Sequence, residues 1–180
     1  MESKAPSRQR LFVALDLPGD ARSRLVGWQG RVFDGHVRTV RLVRPEALHV
    51  TLVFLGHVAE DPIGVVADLE PLGLEPVPPR RPRLWALDLA DREGRAAAVQ
   101  AAIATSLAAR GLYTPEKRPF WPHVTVARLR SGARPPKALE APSPPAPFTA
   151  GRVVLYRSHL GREGARYEAL STLELARKPG

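Results

Sequence analysis

Two copies of one short string carry the groups best suited to chemistry: Ala47-Leu48-His49-Val50-Thr51-Leu52-Val53-Phe54 and Trp121-Pro122-His123-Val124-Thr125-Val126-Ala127-Arg128. Each sets a His and a Thr one apolar residue apart inside an aliphatic, β-branched run, the composition of a strand. Successive side chains on a strand leave opposite faces, so His49 and Thr51 share one face while Val50 and Leu52 share the other. His123 and Thr125 are arranged alike. Two such strands turned to one cleft supply two imidazoles and two hydroxyls. Imidazole titrates near pH 6.5, so one ring can give up a proton while the other takes one, with hydroxyls hydrogen-bonding a phosphoryl group between them. The plainer reading is a pair of half-buried strands whose Thr residues serve strand propensity. Among five His, two accidental H-x-T strings would arise only about 1 to 2 % of the time, which favours the chemical reading.

The elements that must position these strands repeat as well. Ala14-Leu15-Asp16-Leu17 returns as Ala86-Leu87-Asp88-Leu89 after 72 positions, and His49 returns as His123 after 74. Arg10 to Leu17 reads as a strand, and Pro18 to about Phe33 as a helix with Asp20 as N-cap and Leu25, Trp28 and Val32 on one face. Val37 to Val43 reads as a second strand, and Arg44-Pro45-Glu46 as a turn before the first His/Thr strand, which stops at Gly56. Asp61 to about Leu72 reads as a short helix with Pro62 at its first position, and Leu74 to Pro82 as a proline-rich connector. The second half offers a strand at Leu84 to Leu89 and a helix at Arg95 to Leu112. Ser131 to Pro147, dense in proline, reads as a stiff exposed loop or a lid. Arg152 to Ser158 and Tyr167 to Leu175 alternate around the turn chemistry of Gly161 to Gly164 and predict a hairpin. The shared order implies an internal duplication within one α+β domain over 1–180, its lobes at roughly 10–76 and 82–175, with 1–9 and 176–180 as loose ends.

Charge and composition narrow the classes. With 27 basic and 18 acidic residues the chain carries +9 and a sequence pI near 10.9, which invites an anionic ligand. Only four of the basic residues are Lys, and no basic run exceeds two residues, so charge supports a phosphate-bearing ligand without naming it. The absence of Cys excludes disulfides, a thiol nucleophile and a thiolate metal site. Neither His/Thr string carries a carboxylate or second His at ligand spacing, which speaks against zinc. No apolar stretch nears the roughly 18 residues of a membrane helix. The polar, basic start does not resemble an export signal, and a cytoplasmic location is the default. Trp28 and Trp85 read as core. Phe12 and Phe54 read either as core or as base-stacking residues at a cleft wall, and His36, His57 and His159 as surface or strand-end residues.

Three segments together resemble a known family: Arg10-Leu11-Phe12-Val13-Ala14-Leu15-Asp16-Leu17-Pro18, Arg44-Pro45-Glu46-Ala47-Leu48-His49-Val50-Thr51-Leu52-Val53-Phe54-Leu55-Gly56, and Phe120-Trp121-Pro122-His123-Val124-Thr125-Val126-Ala127-Arg128. They are similar to the 2H phosphoesterase superfamily, and within it to the bacterial and archaeal RNA 2',3'-cyclic phosphodiesterases, first named 2'-5' RNA ligases. Trp121 departs from the pattern, which more often has a polar or basic residue there. The resemblance implies a bilobal, pseudo-two-fold α+β fold, with two antiparallel sheets lining a central cleft and helices outside. It also implies hydrolysis of a terminal 2',3'-cyclic phosphate to a 2'-phosphate without metal or other cofactor. His49 would be proton donor, His123 proton acceptor, Thr51 and Thr125 the motif hydroxyls, and Arg128 a phosphate ligand. The partner implied is RNA or a nucleotide with a cyclic phosphate end, met by a monomer away from membranes. Two rivals stand beside this reading: a 2'-5' RNA ligase acting on tRNA halves, and a non-catalytic reader of RNA ends.

Overall fold

The computed structural model describes residues 11–55, 66–161 and 164–176, the side chains of Phe54 and Leu55 excepted. The chain is mostly sheet with two helices. Strand β1 (Leu11–Asp16) leads into helix α1 (Gly19–Val32), a short β2 (Val40–Leu42), a 3-10 turn (Pro45–Ala47) and β3 (His49–Leu55). There follow β4 (Ala67–Val77), β5 (Leu84–Ala90), helix α2 (Arg95–Ala109), β6 (His123–Leu129), β7 (Phe148–Ala150), β8 (Arg152–Gly161) and β9 (Gly164–Glu174). Among the described residues no helix is long and apolar enough to cross a membrane.

Both helices form where apolar residues recur every three or four positions. Ala21, Leu25, Trp28 and Val32 are buried along α1, and Ala96, Val99, Ile103 and Leu107 along α2, each a stripe that faces the core. The expected cap on α1 is corrected. Pro18 stands at the N-cap position and its carbonyl accepts from the Arg22 N–H, so Asp20 falls inside the first turn and pairs with Arg24 one turn on. The indole of the buried Trp28 donates to the Pro142 carbonyl at 2.9 Å, which ties the proline-dense stretch 131–147 to the core.

The strands form one nine-stranded antiparallel sheet, in the order β7-β4-β5-β6-β3-β1-β8-β9, with β2 on β6. Two separate sheets were the expectation. The halves are instead joined because β3 and β6 pair directly, Val50 opposite Val124. A second correction concerns 67–77, expected as the end of a helix and the start of a connector. Burial there alternates from Ala67 to Pro71, the two-residue period of a strand. Pro71 and Pro76 fit because β7 pairs only with Ala67 to Leu69, so β4 beyond that point is an edge strand where a missing N–H costs no ladder bond. Residues 61–65 of the expected helix, and His57, lie outside the described residues. The hairpin of β8 and β9 runs from Arg152 opposite Glu174 to Gly161 opposite Gly164, with one bulge between Leu155 and Tyr156 that leaves Leu170 unmatched.

The two halves share a detail of register. Against β1, β3 carries one extra residue, because Val13 faces Val53 but Ala14 faces Thr51, leaving Leu52 unmatched. Against β5, β6 does the same: Trp85 faces Ala127 but Ala86 faces Thr125, leaving Val126 unmatched. Such bulges re-aim the side chains that follow. The one in β6 is held from below, where the Val126 carbonyl accepts from the Val43 N–H and from Nε2 of the buried Gln29 on α1, which also donates to the Val43 carbonyl.

Candidate active site

Val50 and Val124 are wholly buried and stand opposite one another. On the other face, antiparallel pairing therefore sets His49 beside Thr125 and Thr51 beside His123. The two imidazoles take one diagonal of this quartet, a separation of roughly 7–8 Å between side-chain origins in a regular ladder. Each His also has a carboxylate across the neighbouring strand, Asp16 opposite His49 and Asp88 opposite His123.

Backbone carbonyls fix both rings. Nδ1 of His49 lies 2.8 Å from the Ala47 carbonyl, and Nδ1 of His123 lies 2.8 Å from the Trp121 carbonyl. A carbonyl only accepts, so each Nδ1 carries the proton and each neutral ring keeps its lone pair on Nε2. At His49 that lone pair receives the Thr51 hydroxyl at 2.9 Å. The turn before β3 is itself clamped, since Arg22 donates to the Pro45 and Leu48 carbonyls and pairs with Asp16. Arg152 takes the other Asp16 oxygen.

The walls differ. His49 is boxed by Phe12, with ring centroids 4.9 Å apart, by Tyr167 edge-on at 5.3 Å and by Tyr156 at 6.3 Å. Among the described residues His123 has one aromatic neighbour, Trp121, stacked at 4.1 Å with 20° between planes and 38 % exposed. The indole N–H donates to Asp88 at 2.7 Å. Burial lowers the His49 pKa from 6.5 to about 4, helped by the positive charges of His123 and Arg128 and opposed by the Ala47 carbonyl and Asp16. Burial also lowers His123, with Arg128 adding to it and the Trp121 carbonyl and Asp88 opposing it. Both shifts favour the neutral ring.

Residues 87–167 match the family described as LigT-like phosphoesterase. Over 178 residues the chain is 31% identical to the RNA 2',3'-cyclic phosphodiesterase of Escherichia coli (strain K12), covering 90% of this chain and 94% of that one. The chain belongs to the LigT-like phosphoesterase family of the 2H superfamily. A structure of Escherichia coli LigT complexed with 3'-AMP is similar at a TM-score of 0.68 and 26% identity, covering 93% of this chain and 98% of that one. TT0787 of Thermus thermophilus shares the fold at a TM-score of 0.73 and 24% identity, covering 94% of this chain and all of that one.

Within this LigT-like site the bulge in β6 matters for Arg128. The extra residue Val126 restores Arg128 to the face of His123 and Thr125, and its charge acts on both imidazoles. The matching position of β3 is Phe54, whose side chain lies outside the described set. Phe12, expected as core or base platform, is core: it is 2 % exposed, its ring packed on His49, Tyr156 and Tyr167. His159 pairs with Glu168 at the surface. Sequence reading missed Tyr156 and Tyr167, more than 100 positions from His49, and missed Asp16 and Asp88 as carboxylate neighbours. The repeated Ala-Leu-Asp-Leu string pointed at the two Asp; nothing local pointed at the tyrosines. Among the described residues no three His, Asp or Glu side chains gather as a metal site.

Proposed function

We propose that this phosphoesterase opens RNA 2',3'-cyclic phosphate ends to 2'-phosphomonoesters by metal-independent acid–base catalysis between His49 and His123. The observation that carries the reading is the quartet across Val50 and Val124, with both rings held by backbone carbonyls so that Nε2 is the reactive nitrogen. Nε2 of His123 takes a proton from water as its oxygen attacks phosphorus. The bond from phosphorus to O3' breaks, and protonated His49 gives its proton to O3'; the bond to O2' stays. The low proton affinity of His49 makes its charged form a strong donor, and an arriving phosphoryl anion is what stabilises that charged form. Once Nε2 of His49 is protonated it no longer accepts from Thr51, which releases that hydroxyl to a non-bridging oxygen beside Thr125. Arg128 adds a charge-assisted donor to the same oxygens. Likeness to a relative named RNA 2',3'-cyclic phosphodiesterase and to one complexed with 3'-AMP supports a nucleotide substrate.

The same reading takes the two halves as copies of one unit, facing a shared cleft as two lobes. The matching bulges, the Asp–His pairs at 16 and 49 and at 88 and 123, and the central Val50–Val124 pair support it. Incubation with adenosine 2',3'-cyclic phosphate and chelator, followed by phosphorus NMR, should give the 2'-phosphate. No turnover at any pH, strict metal dependence, or a 3'-phosphate product would overturn the proposal.

A further inference from the structure

Arg41 lies outside both His/Thr strings, yet it stands directly opposite Arg128 in the β2–β6 ladder. Directly opposed residues of an antiparallel pair leave the same face about 4.5–5.5 Å apart, and like charges so placed repel. The face is that of His123 and Thr125, to which the bulge at Val126 returns Arg128. Among the described residues no carboxylate pairs with either guanidinium, whereas Arg22, Arg152 and Arg157 each have an acidic partner. A built support holds Arg41. Gly164, at the start of β9, has φ +112°, and a side-chain carbon there would sit 3.2 Å from Cζ and 3.3 Å from Nε of Arg41. The guanidinium therefore lies against bare backbone at the hairpin end. Arg44 fastens the same end by donating to the Ala165 carbonyl at 3.4 Å.

Two arginines opposed in one ladder, with no carboxylate partner among the described residues, match two phosphates one nucleotide apart. We infer that Arg41 forms a second phosphate subsite with Arg128, which takes the internucleotide phosphodiester preceding the cyclic end and so selects oligonucleotides over mononucleotides. The subsite rests on the phosphodiesterase reading above.

The test compares kcat/KM for adenosine 2',3'-cyclic phosphate with that for a dinucleotide ending in the same cyclic phosphate. The dinucleotide should be favoured by about tenfold at low salt, the effect of one charge-assisted contact. Arg41→Gln should collapse that preference to within about twofold and flatten its salt dependence. A dinucleotide with an uncharged methylphosphonate linkage should behave as the mononucleotide does. Gly164→Val, which displaces the guanidinium but keeps the charge, should lower the preference in the same direction if Arg41→Gln proves poorly folded. Equal efficiency on both substrates, a preference that survives Arg41→Gln, or one that survives the methylphosphonate overturns the subsite while leaving the phosphodiesterase reading intact. If neither substrate is turned over, that reading falls. Calorimetric titration with the 2'-phosphorylated dinucleotide and with adenosine 2'-phosphate then decides the subsite, sustained by a preference lost in Arg41→Gln and overturned by equal affinities.

Discussion

His49 and His123 occupy matching register positions, carry the same tautomer and face matching aspartates, yet they are walled differently. His49 sits among Phe12, Tyr156 and Tyr167, and its aspartate is neutralised by Arg22 and Arg152. His123 has a single stacked indole, held by an aspartate with no arginine on it among the described residues. Backbone register can therefore deliver two equivalent groups while the surrounding strands make them unequal proton carriers.

The comparison breaks most directly by deletion. His49→Ala and His123→Ala should each lower kcat on a cyclic nucleotide by about 10²–10⁴-fold, with the double variant little worse than either single one, because the pair works as a unit. A double variant that loses the product of the two effects would separate their roles.

Stability offers the next test. His49 takes up a proton near pH 6.5 when unfolded but only near 4 when folded, so the unfolded state binds more protons between those values. The free energy of unfolding should fall as pH drops from 6.5 to 4, by on the order of 3 kcal/mol from this residue. Urea unfolding of the protein and of His49→Gln across that window checks it, the variant showing the shallower pH slope.

Opening the walls sharpens the contrast. Tyr167→Ala admits water to His49, so its midpoint by proton NMR should rise from about 4 toward 6.5. Trp121→Ala should raise the His123 midpoint by a smaller step, since burial is the main cause of lowering at both rings. The smallest effect belongs to Asp88→Asn, which keeps an acceptor for the indole but removes a charge that favours protonated His123. Its midpoint should fall slightly.

The sequence was most legible where one period ran unbroken. Leu25, Trp28 and Val32 marked α1, and alternation around His49 and His123 marked β3 and β6. It was least legible at β4, where Pro62, Pro71 and Pro76 masked the alternation from Ala67 to Pro71 and suggested a helix and a connector. An edge strand tolerates prolines that a central strand would not, and edge position is a property of the whole sheet. The quartet was readable from two H-x-T strings because strand parity is local. Its direct pairing through Val50 and Val124, which merged two expected sheets into one, was not. Two of the rings around His49, Tyr156 and Tyr167, come from β8 and β9, whose arrival beside β1 is decided by long-range pairing.

Gln29 never meets substrate, yet it settles which way Arg128 looks. Were the chain to lose its surplus residue at Val126, Arg128 would turn to the buried face of the sheet, away from His123 and Thr125. The amide on α1 that occupies the Val126 carbonyl thus acts as a detent for the strand beyond it, so that a helix packed on one face of the sheet bears on the polarity of the other.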